Sequence, residues 1–591
     1  MHHPIRAAVW TAALAVAGAA PLAGQVDFRN LDEDRPLHTE DALPVDHYGF
    51  ELALPYTLEA EDESRLHLTT PELVYGVRRG GEVGFALPLA ALDDATGTTW
   101  ALAGVRLFAL QNLAREGPGM PAIALRADLG LPVGGFGGEN PVLSLKAIGT
   151  RSWGPIRAHA NASVTPTSDE PGPAAEPEWS AGLAVDRTFF RSSLLVLGEL
   201  SVLEAPGAGA TEATLALGAR YQLAPTLVLD AGLRRRLGSA GPDLGVTVGL
   251  SHAFGLASLH PHAPPSSSTP VPRQDEQFYL PGGFNWRFLA RYPEAARLFN
   301  AFDYGHAVLY ELLLTQGDMA DAALVREYRY LTRDLLVRPP RLGVAEDVVM
   351  SRYAREIWQA KQMFDWAHVL HRQIYDAYAD DRLTRSERDS LVERLTDRYL
   401  ARAGAAFVPV PKSMALMEDQ AFSRTFRRRQ PAFNGLIWAY HWLQVGLYEP
   451  LVGARTPAEA KGGIAVAVGR FWRMVASEQY PRVMPMTAAV APEFSRRHPR
   501  AAAIFDNLHM MHDIISDILA APDIPRERKR EVIAAQLAEF RSADRNVLTA
   551  EEWRAMSGQM GGVGAMGGPV LGPAAADSAA PAPPAMEHRH H

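Results

Sequence analysis

Apolar and ring-bearing side chains occupy every second position over much of the chain from about Tyr48 to Phe254. The last of these segments carries Leu244, Val246, Val248, Leu250, His252 and Phe254 on one side. A period of two places alternate side chains on opposite faces of a β-strand. The pattern therefore predicts a series of half-buried strands.

The intervening positions hold small or polar residues, with Arg220, Asp230, Arg234 and Arg236 among them. A soluble β-sandwich, which is the alternative, would need partner sheets over the apolar face and more charge on the other. Segments of about ten residues with one apolar and one small or polar face are typical of outer-membrane barrels, whose second face lines the lumen. We predict about twelve strands, near residues 48–57, 66–77, 82–90, 98–109, 121–130, 141–149, 154–164, 178–187, 192–203, 211–222, 225–236 and 243–254.

The same region resembles a known family. The residues that carry the resemblance are Arg35-Pro36-Leu37-His38-Thr39-Glu40-Asp41-Ala42, Tyr48-Gly49-Phe50-Glu51-Leu52 and Ser251-His252-Ala253-Phe254. Over about residues 35–256 the chain is similar to the outer-membrane barrels of the phenol-degradation MetA-pathway transporter family. The resemblance implies a barrel that passes or binds small hydrophobic molecules.

Beyond Phe278 the hydrophobic period becomes 3.6 residues, which predicts helices. Thr384 and Glu387 have the spacing of a capping box at a helix start. The predicted helices lie near residues 292–316, 320–336, 346–380, 384–402, 413–424, 432–451, 457–477, 499–521, 526–541 and 549–555. We therefore expect a multi-domain chain, with an antiparallel outer-membrane β-barrel followed by an all-α helical bundle.

The length of 591 residues exceeds a single ordinary core. An apolar run from Ala7 to Ala20 follows Arg6, and small residues precede Gln25, which indicates a signal peptide too short to span a membrane. A Pro/Ser-rich segment predicts a linker, and a Gly, Met, Ala and Pro-rich end predicts disorder. The expected division is a signal peptide (1–24), an N-terminal periplasmic segment (25–47), the barrel (48–256), the linker (257–277), the helical domain (278–555) and a disordered tail (556–591).

Composition narrows the chemistry. The absence of Cys excludes disulfides, thiolate metal sites and covalently attached haem. A net charge of −9 without a long basic run argues against a nucleic-acid partner. Export and a barrel together predict the outer membrane of a Gram-negative-type bacterium, with outer-membrane lipid around the barrel and the helical domain in the periplasm.

A repeated motif on the helices carries the clearest chemical signal. Phe-Asp-x-x-His occurs three times, and two copies continue to a second His, so the motif contributes Asp303, His306, Asp365, His368, His371, Asp506, His509 and His512. A degenerate fourth copy contributes His441, with Gln444 three residues later. At 100° per residue, the Asp and the two His of a full copy share one side of a helix. Four helices would then direct imidazoles and carboxylates inward.

Six inward imidazoles need partners for their ring nitrogens, and metal ions or a haem would provide several at once. We predict a site built from the six His, with Asp303, Asp365, Asp506, Glu311 and Glu449 as further candidate ligands. Imidazole and carboxylate suit iron, our first candidate, and also copper, zinc or manganese, as a dinuclear centre. A b-type haem held by two His is the competitor. The alternatives are a polar network that only specifies the bundle, and unrelated positions.

Two functions follow. In the first, an outer-membrane barrel passes small hydrophobic molecules and carries a helical domain that binds metal or haem, with oxidoreductase activity as its possible chemistry. In the second, the protein is non-catalytic and the helical domain is a structural or partner-binding module without a cofactor. The sequence leaves the catalytic residues, the substrate and the oligomeric state open.

Overall fold

The structure is a computed structural model that describes residues 22–23, 28–45, 47, 49–61, 64–78, 80–95, 97–117, 119–166, 177–204, 211–224, 226–256, 286–344 and 346–570. The chain divides into two compact units. The first comprises the chain up to Trp286 together with Pro339–Asp365, and the second comprises Arg287–Arg338 and the chain from Trp366 onward. The predicted linker (257–277) lies outside the described residues, and so does the predicted signal peptide (1–24) except for Leu22–Ala23.

Twelve antiparallel strands, counted over the described part of the chain, form a closed barrel, as the sequence predicted. They are β1 (Gly49–Ala53 and Tyr56–Glu61), β2 (Ser64–Thr69 and Glu72–Arg78), β3 (Gly81–Ala86 and Leu89–Asp94), β4 (Gly97–Leu102 and Val105–Ala114), β5 (Ala122–Leu131), β6 (Val142–Trp153), β7 (Ile156–Thr165), β8 (Glu178–Phe189), β9 (Leu194–Glu204), β10 (Thr211–Ala224), β11 (Leu227–Arg236) and β12 (Leu244–Gly255). β12 pairs with β1, where Val246 lies opposite Leu58, and this pairing closes the sheet. The two-residue strand Leu22–Ala23 pairs with the end of β12.

Each of the first four strands is interrupted once, which the periodicity alone did not indicate. Pro55, Pro71 and Pro88 lie in the first three interruptions. Proline has no N–H to donate to a neighbouring strand, so the hydrogen-bond ladder breaks there. The fourth interruption contains Gly104, whose φ of 99° is in the left-handed region that favours glycine.

The wall has an apolar outside and a polar inside. On β10, Leu217 is 61% exposed on the outside, whereas Arg220 is completely buried on the inside. Exposed aromatic side chains lie near both ends of the barrel, with Trp100 and Trp179 at one end and Trp153 at the other. An apolar outer band with aromatic residues at both borders is the arrangement of outer-membrane barrels.

Residues 28–45, which we call the plug segment, lie in the barrel lumen. Their backbone N–H groups donate hydrogen bonds to wall side chains on β3, β6 and β9, namely Glu82, Thr150 and Glu199. On β11 a Cβ at Gly232 would lie 2.5 Å from the carbonyl oxygen of Pro36, so only glycine admits the plug there. The expected N-terminal periplasmic segment covers residues 25–47; in the described part of it, residues 28–45, backbone N–H groups find partners on the lumen wall.

Pro339–Asp365 belongs to the barrel unit and contacts the end of the barrel that has the short turns. The Arg341 side chain donates to the carbonyl of Gln222, 2.8 Å away. The Arg355 side chain donates to the carbonyl of Ser152 at 3.0 Å, and Gly154 N donates to Ser351 Oγ at 3.2 Å. Chain that follows the barrel in sequence therefore packs against its short-turn end.

The remaining described chain is helical, as predicted. The helices are α1 (Trp286–Arg291), α2 (Pro293–Gln316), α3 (Asp321–Tyr330), α4 (Glu346–Val349), α5 (Ser351–Glu356), α6 (Trp358–Ala379), α7 (Arg385–Leu400), α8 (Ala415–Glu418), α9 (Thr425–Arg429), α10 (Pro431–Gly446), α11 (Tyr448–Gly453), α12 (Pro457–Ser477), α13 (Thr487–Val490), α14 (Pro492–Arg497), α15 (Pro499–Ala520), α16 (Arg526–Arg541), α17 (Ala550–Gln559) and α18 (Gly562–Ala565). A 3₁₀ turn (Gly317–Ala320) precedes α3 and a π-helical turn (Leu331–Leu335) follows it. Thr384 and Glu387 form the predicted capping box.

Two helical boundaries differ from those expected. The stretch 346–380 contains three helices, because the backbone leaves the helical conformation at Met350 and Ile357. The ordered chain continues past residue 556, where we expected the disordered tail to begin. There Trp442 Nε1 donates to the carbonyl of Gly568 at 2.7 Å, and Val570 is buried. Residues 571–591 lie outside the described part.

Among the described helices, none combines the length and the apolar character needed to cross a membrane. The apolar run from Phe433 to Val452 is divided between α10 and α11, and both helices are buried in the second unit. The run therefore forms part of the helical core.

Asp517 joins α15 to the start of α9 and makes the stability of this unit pH-dependent. Its carboxylate accepts hydrogen bonds from the backbone N–H groups of Arg424 and Phe426, both at 2.8 Å. Burial raises the pKa of Asp517 to about 6. The folded chain therefore holds a proton that the unfolded chain releases near pH 4. The contribution of this carboxyl to the free energy of unfolding is complete below about pH 4 and is lost as the pH rises through about 6.

We expect Asp517→Asn to weaken this pH dependence. Thermal unfolding followed by far-UV circular dichroism at about pH 4.5 and about pH 7 measures it. The difference in midpoint between the two pH values should be smaller in Asp517→Asn than in the wild type. Asp523→Asn, at an exposed position of the same unit, serves as the control. An unchanged difference in Asp517→Asn would contradict the assignment.

Candidate functional site

Four helices of the bundle bring six histidines together. His306 lies on α2, His368 and His371 on α6, His441 on α10, and His509 and His512 on α15. Each of the six is 8% exposed or less. Burial of imidazole is costly unless its nitrogens find partners, so the arrangement needs a chemical explanation.

The six rings form one continuous series of contacts, which we call the histidine cluster. The ring centroids of His306 and His512 are 4.2 Å apart, and those of His441 and His509 are 4.1 Å apart. His441 also lies 5.4 Å from His306 and 5.3 Å from His512. His368 extends the series beside His512 at 5.6 Å, and His371 extends it beside His509 at 6.0 Å.

Three of these residues have the geometry of a metal site. His306, His441 and His512 each offer one ring nitrogen, and the three nitrogens all lie within 4.8 Å of one another. We call these residues the histidine triad. Each comes from a different helix, so a single ion at their centre would connect α2, α10 and α15.

Several ring nitrogens in the cluster have no hydrogen-bond partner among the described residues. Neither nitrogen of His306 has one, and the same holds for Nδ1 of His441. The other nitrogen of His441, Nε2, lies 3.2 Å from Nδ1 of His512, so these two rings share one hydrogen bond. A neutral imidazole carries one N–H donor and one lone pair, and His306 leaves both unused.

The environment keeps these imidazoles neutral. Burial lowers the pKa of His306 to about 3, with a smaller contribution from His509. Burial also lowers the pKa of His509 to about 3, and it moves the pKa values of His441 and His512 well below the usual range. Neutral imidazole is the form that binds metal ions, because its lone pair is available.

The carboxylates proposed from the sequence are engaged elsewhere. Asp303 forms an ion pair with Arg372, and Asp365 forms one with Lys361. Asp506 accepts hydrogen bonds from Thr487 and Trp553, and Glu449 accepts the backbone N–H of Glu493. Glu311 is half-buried. Among the described residues, the group of side chains whose ligand atoms lie close enough to hold a metal ion consists of histidines alone.

Helical spacing explains this separation. In a Phe-Asp-x-x-His copy the Asp precedes the His by three residues, which is about 60° short of a full turn. On α15 this offset directs Asp506 toward Thr487 and Trp553, while His509 contacts the ring of His441. The motif therefore combines a carboxylate that bonds to neighbouring elements with an imidazole that belongs to the histidine cluster. Tyr448, whose hydroxyl lies 2.6 Å from Nδ1 of His371, has no counterpart in the motif.

The lumen of the barrel is a second polar site. Arg126 on β5 donates to Glu40 of the plug segment at 2.8 Å and lies 3.1 Å from Glu33. Arg157 on β7 is 3.0 Å from Asp41 of the plug segment. A cavity of about 120 Å³ remains beside the plug, lined by charged and hydroxyl-bearing residues that include Arg234.

The predicted lumen residues occupy different parts of this site. Arg220 and Asp230 are buried and lie opposite each other on β10 and β11. Arg234 lines the cavity, whereas Arg236 pairs with Asp243 at the end of the barrel with the longer loops. The interior is therefore polar, as expected from the register of these residues.

Solved structures similar to this chain are outer-membrane barrels. An outer membrane channel from Pseudomonas putida F1 has a TM-score of 0.31 and 16% identity, covering 36% of this chain and 97% of that chain. The KdgM porin has a TM-score of 0.26 and 11% identity, covering 34% and 98%. The CymD monoaromatic hydrocarbon channel has a TM-score of 0.22 and 10% identity, covering 36% and 89%. No protein-family model matches the sequence, and no curated protein matches it.

Proposed function

We propose that this chain is an outer-membrane barrel protein whose helical unit, in the periplasm, binds a transition-metal ion at His306, His441 and His512. The observation that carries the proposal is the convergence of three buried ring nitrogens within 4.8 Å. Three imidazoles leave a fourth coordination position open, as in catalytic sites rather than closed structural ones.

A metal ion also accounts for the unused ring nitrogens. Each buried polar group without a partner costs about 1–3 kcal/mol. A purely structural network would be selected for complete hydrogen bonding, because a partly satisfied network is worse than an apolar core. Both nitrogens of His306 lack partners among the described residues, and an ion would convert one of them from a cost into a ligand.

The donor set points to the class of ion. It is made of imidazole, which suits copper, zinc, iron and nickel, whereas manganese and magnesium prefer carboxylate oxygen. With the carboxylates paired elsewhere, we place copper and zinc ahead of iron and manganese. A b-type haem needs a porphyrin between its two axial rings. The rings of His306 and His512, and those of His441 and His509, are in direct contact and leave no such gap.

The number of barrel strands and the position of Pro339–Asp365 support a periplasmic location for the helical unit. Because the number of strands is even, the first strand begins and the last strand ends at the same opening of the barrel. This is the opening with the short turns, which in outer-membrane barrels faces the periplasm. The chain that leaves β12 begins at that end, and Pro339–Asp365 packs against it. These features favour a periplasmic helical unit.

Passage of small molecules through the barrel is a second proposed function. It is favoured by the closed wall and the polar lumen with its cavity beside the plug. The resemblance to the MetA-pathway transporter family suggests small hydrophobic cargo. The plug segment would have to move for cargo to pass.

Elemental analysis of the purified full-length chain tests the metal proposal. We expect at least one equivalent of copper or zinc after expression in supplemented medium, and the visible spectrum should lack the intense band of a haem. His512→Ala should lower the metal content to background while the far-UV circular dichroism is retained. A folded, metal-free and colourless wild-type chain that takes up no copper or zinc would contradict the proposal and favour a structural module.

A further inference from the structure

We propose that His38 is a proton switch of the plug segment. A neutral His38 connects the plug to β11 of the barrel wall, and a protonated His38 releases this contact. The switch lies in the lumen and is independent of the metal proposal. Its effect on passage through the barrel rests on the passage of small molecules proposed above.

The two ring nitrogens of His38 contact partners of opposite character. Nδ1 lies 2.7 Å from Oδ1 of Asp34, which belongs to the plug itself, and Nε2 lies 2.6 Å from a terminal guanidinium nitrogen of Arg234 on β11. An ionised carboxylate can only accept a hydrogen bond, and a guanidinium can only donate one. The ring that satisfies both contacts is therefore neutral, with its proton on Nδ1 and its lone pair on Nε2.

A second proton on the ring would occupy this lone pair. Two N–H donors would then face each other across the 2.6 Å between His38 and Arg234, and both groups would be cationic. The contact with Asp34 would in turn become a charge-assisted hydrogen bond, which is stronger than a neutral one. Protonation therefore transfers His38 from a partner on the wall to a partner four residues away in the plug.

Charged groups around the ring act on the second proton in opposite directions. Arg234 repels it. The carboxylates that attract it belong to the plug, β1, β9 and β10, namely Asp34, Glu59, Glu199 and Glu212. The side chain of His38 is 39% exposed, so a proton can reach it. Histidine is the side chain that ordinarily changes its charge between pH 5 and 8, and we expect the switch to act in this range.

His159 on β7 lacks this arrangement. Its Nδ1 lies 3.0 Å from the hydroxyl oxygen of Thr150, and its Nε2 lies 2.9 Å from a carboxylate oxygen of Asp186. Both oxygens can accept a hydrogen bond, so a second proton on this ring would not cost it a partner. The guanidinium partner is what makes His38 sensitive to its own charge.

The contact between His38 and Arg234 crosses the cavity of about 120 Å³ beside the plug, since both residues line it. Arg234 also forms an ion pair with Glu59 on β1, so it stays on the wall when His38 leaves it. Loss of the contact separates the plug from β11 and widens the cavity. Ion pairs of Arg126 and Arg157 keep the rest of the plug on the wall, so the movement is confined to the His38 side.

Hydrogen exchange of the full-length chain in detergent, followed by mass spectrometry, tests the switch without depending on passage. Protection factors of the plug amides are compared between the wild type and His38→Gln, because glutamine offers a donor and an acceptor but does not titrate. At about pH 8 the two proteins should be equally protected. At about pH 5 the wild type should be about tenfold less protected, which is the effect of losing one hydrogen bond to a charged group.

Arg234→Met provides a second variant, because it removes the wall partner and keeps His38. Its plug should have the low protection of the acidic wild type at both pH values. Wild-type protection that does not change between the two pH values would overturn the switch. A pH dependence that persists in His38→Gln or in Arg234→Met would also overturn it.

Single-channel recording in planar lipid bilayers connects the switch to passage. The conductance of the wild type should rise from about pH 8 to about pH 5, and His38→Gln should abolish the rise. His67→Gln is the matched control and should retain it, since His67 on β2 contacts Tyr56 and Asp93 rather than the plug. An equal rise in His38→Gln would overturn the switch. No current in any variant, together with the expected hydrogen exchange, would overturn passage and support the switch.

Discussion

Replacing His306 with leucine should stabilise the metal-free chain and destabilise the metal-loaded chain. In the absence of metal, His306 is a buried imidazole without a hydrogen-bond partner among the described residues. Leucine has a similar size and no polar atoms, so the variant avoids a desolvation cost of about 1–3 kcal/mol. A rise in the unfolding midpoint of several degrees is the expected result.

With metal present the sign reverses. An ion that binds only the folded chain stabilises it by roughly 4 kcal/mol when its concentration is about 1,000 times the dissociation constant. His306→Leu removes one of three ligands and with it most of this stabilisation. The gain from removing the unpaired imidazole is smaller than that loss, so the variant should be less stable than the metal-loaded wild type.

Thermal unfolding with chelator and with added Cu²⁺ measures both effects. His498→Leu is the matched control, because His498 is equally buried but both of its ring nitrogens have partners, Tyr378 and Glu393. This control should lose stability to the same extent with and without metal. If His306→Leu also destabilises the metal-free chain, the imidazole has a structural role that the metal account does not explain.

Replacing Arg126 with methionine should release the plug segment and raise the conductance of the barrel. Arg126 is 3% exposed and connects β5 to Glu40 and Glu33 of the plug. Methionine keeps much of the side-chain volume but has no charge. The carboxylates of Glu40 and Glu33 therefore lose a positive charge that balances them in the lumen. Removing one partner of a buried ion pair costs about 3–5 kcal/mol, because the remaining charge is left uncompensated.

Single-channel recording in planar lipid bilayers measures this effect. Arg236→Met is the matched control, since Arg236 pairs with the loop residue Asp243 rather than with the plug. We expect larger or more frequent openings in Arg126→Met and wild-type behaviour in Arg236→Met. Identical traces from the wild type and Arg126→Met would show that this contact does not hold the plug in place.

The barrel was largely predictable because each of its strands has one apolar and one small or polar face. An apolar outer face and a polar lumen face impose a strict period of two, and the strand positions follow from it. The interruptions at Pro55, Pro71 and Pro88 were visible in the sequence but do not disturb the side-chain alternation. The plug segment was not predictable, since its charged residues have no period and find partners on strands far away in sequence.

The candidate site was predictable only in part. Helical periodicity indicated that the repeated histidines share faces, and the six rings do lie together. It could not assign the aspartates, because a residue three positions away can contact a different neighbouring element. Asp506 illustrates this, since α13 and α17 supply its partners through Thr487 and Trp553. Long-range packing of this kind leaves no local signal in the sequence.

X-ray absorption spectroscopy at the edge of the bound metal tests the central claim most directly. The account predicts a shell of nitrogen donors at about 2.0–2.1 Å, with the outer-shell scattering of imidazole rings. His441→Ala should remove the imidazole signal or the metal itself. A wild-type spectrum dominated by carboxylate oxygen or porphyrin nitrogen, or a chain that binds no metal to measure, would contradict the account.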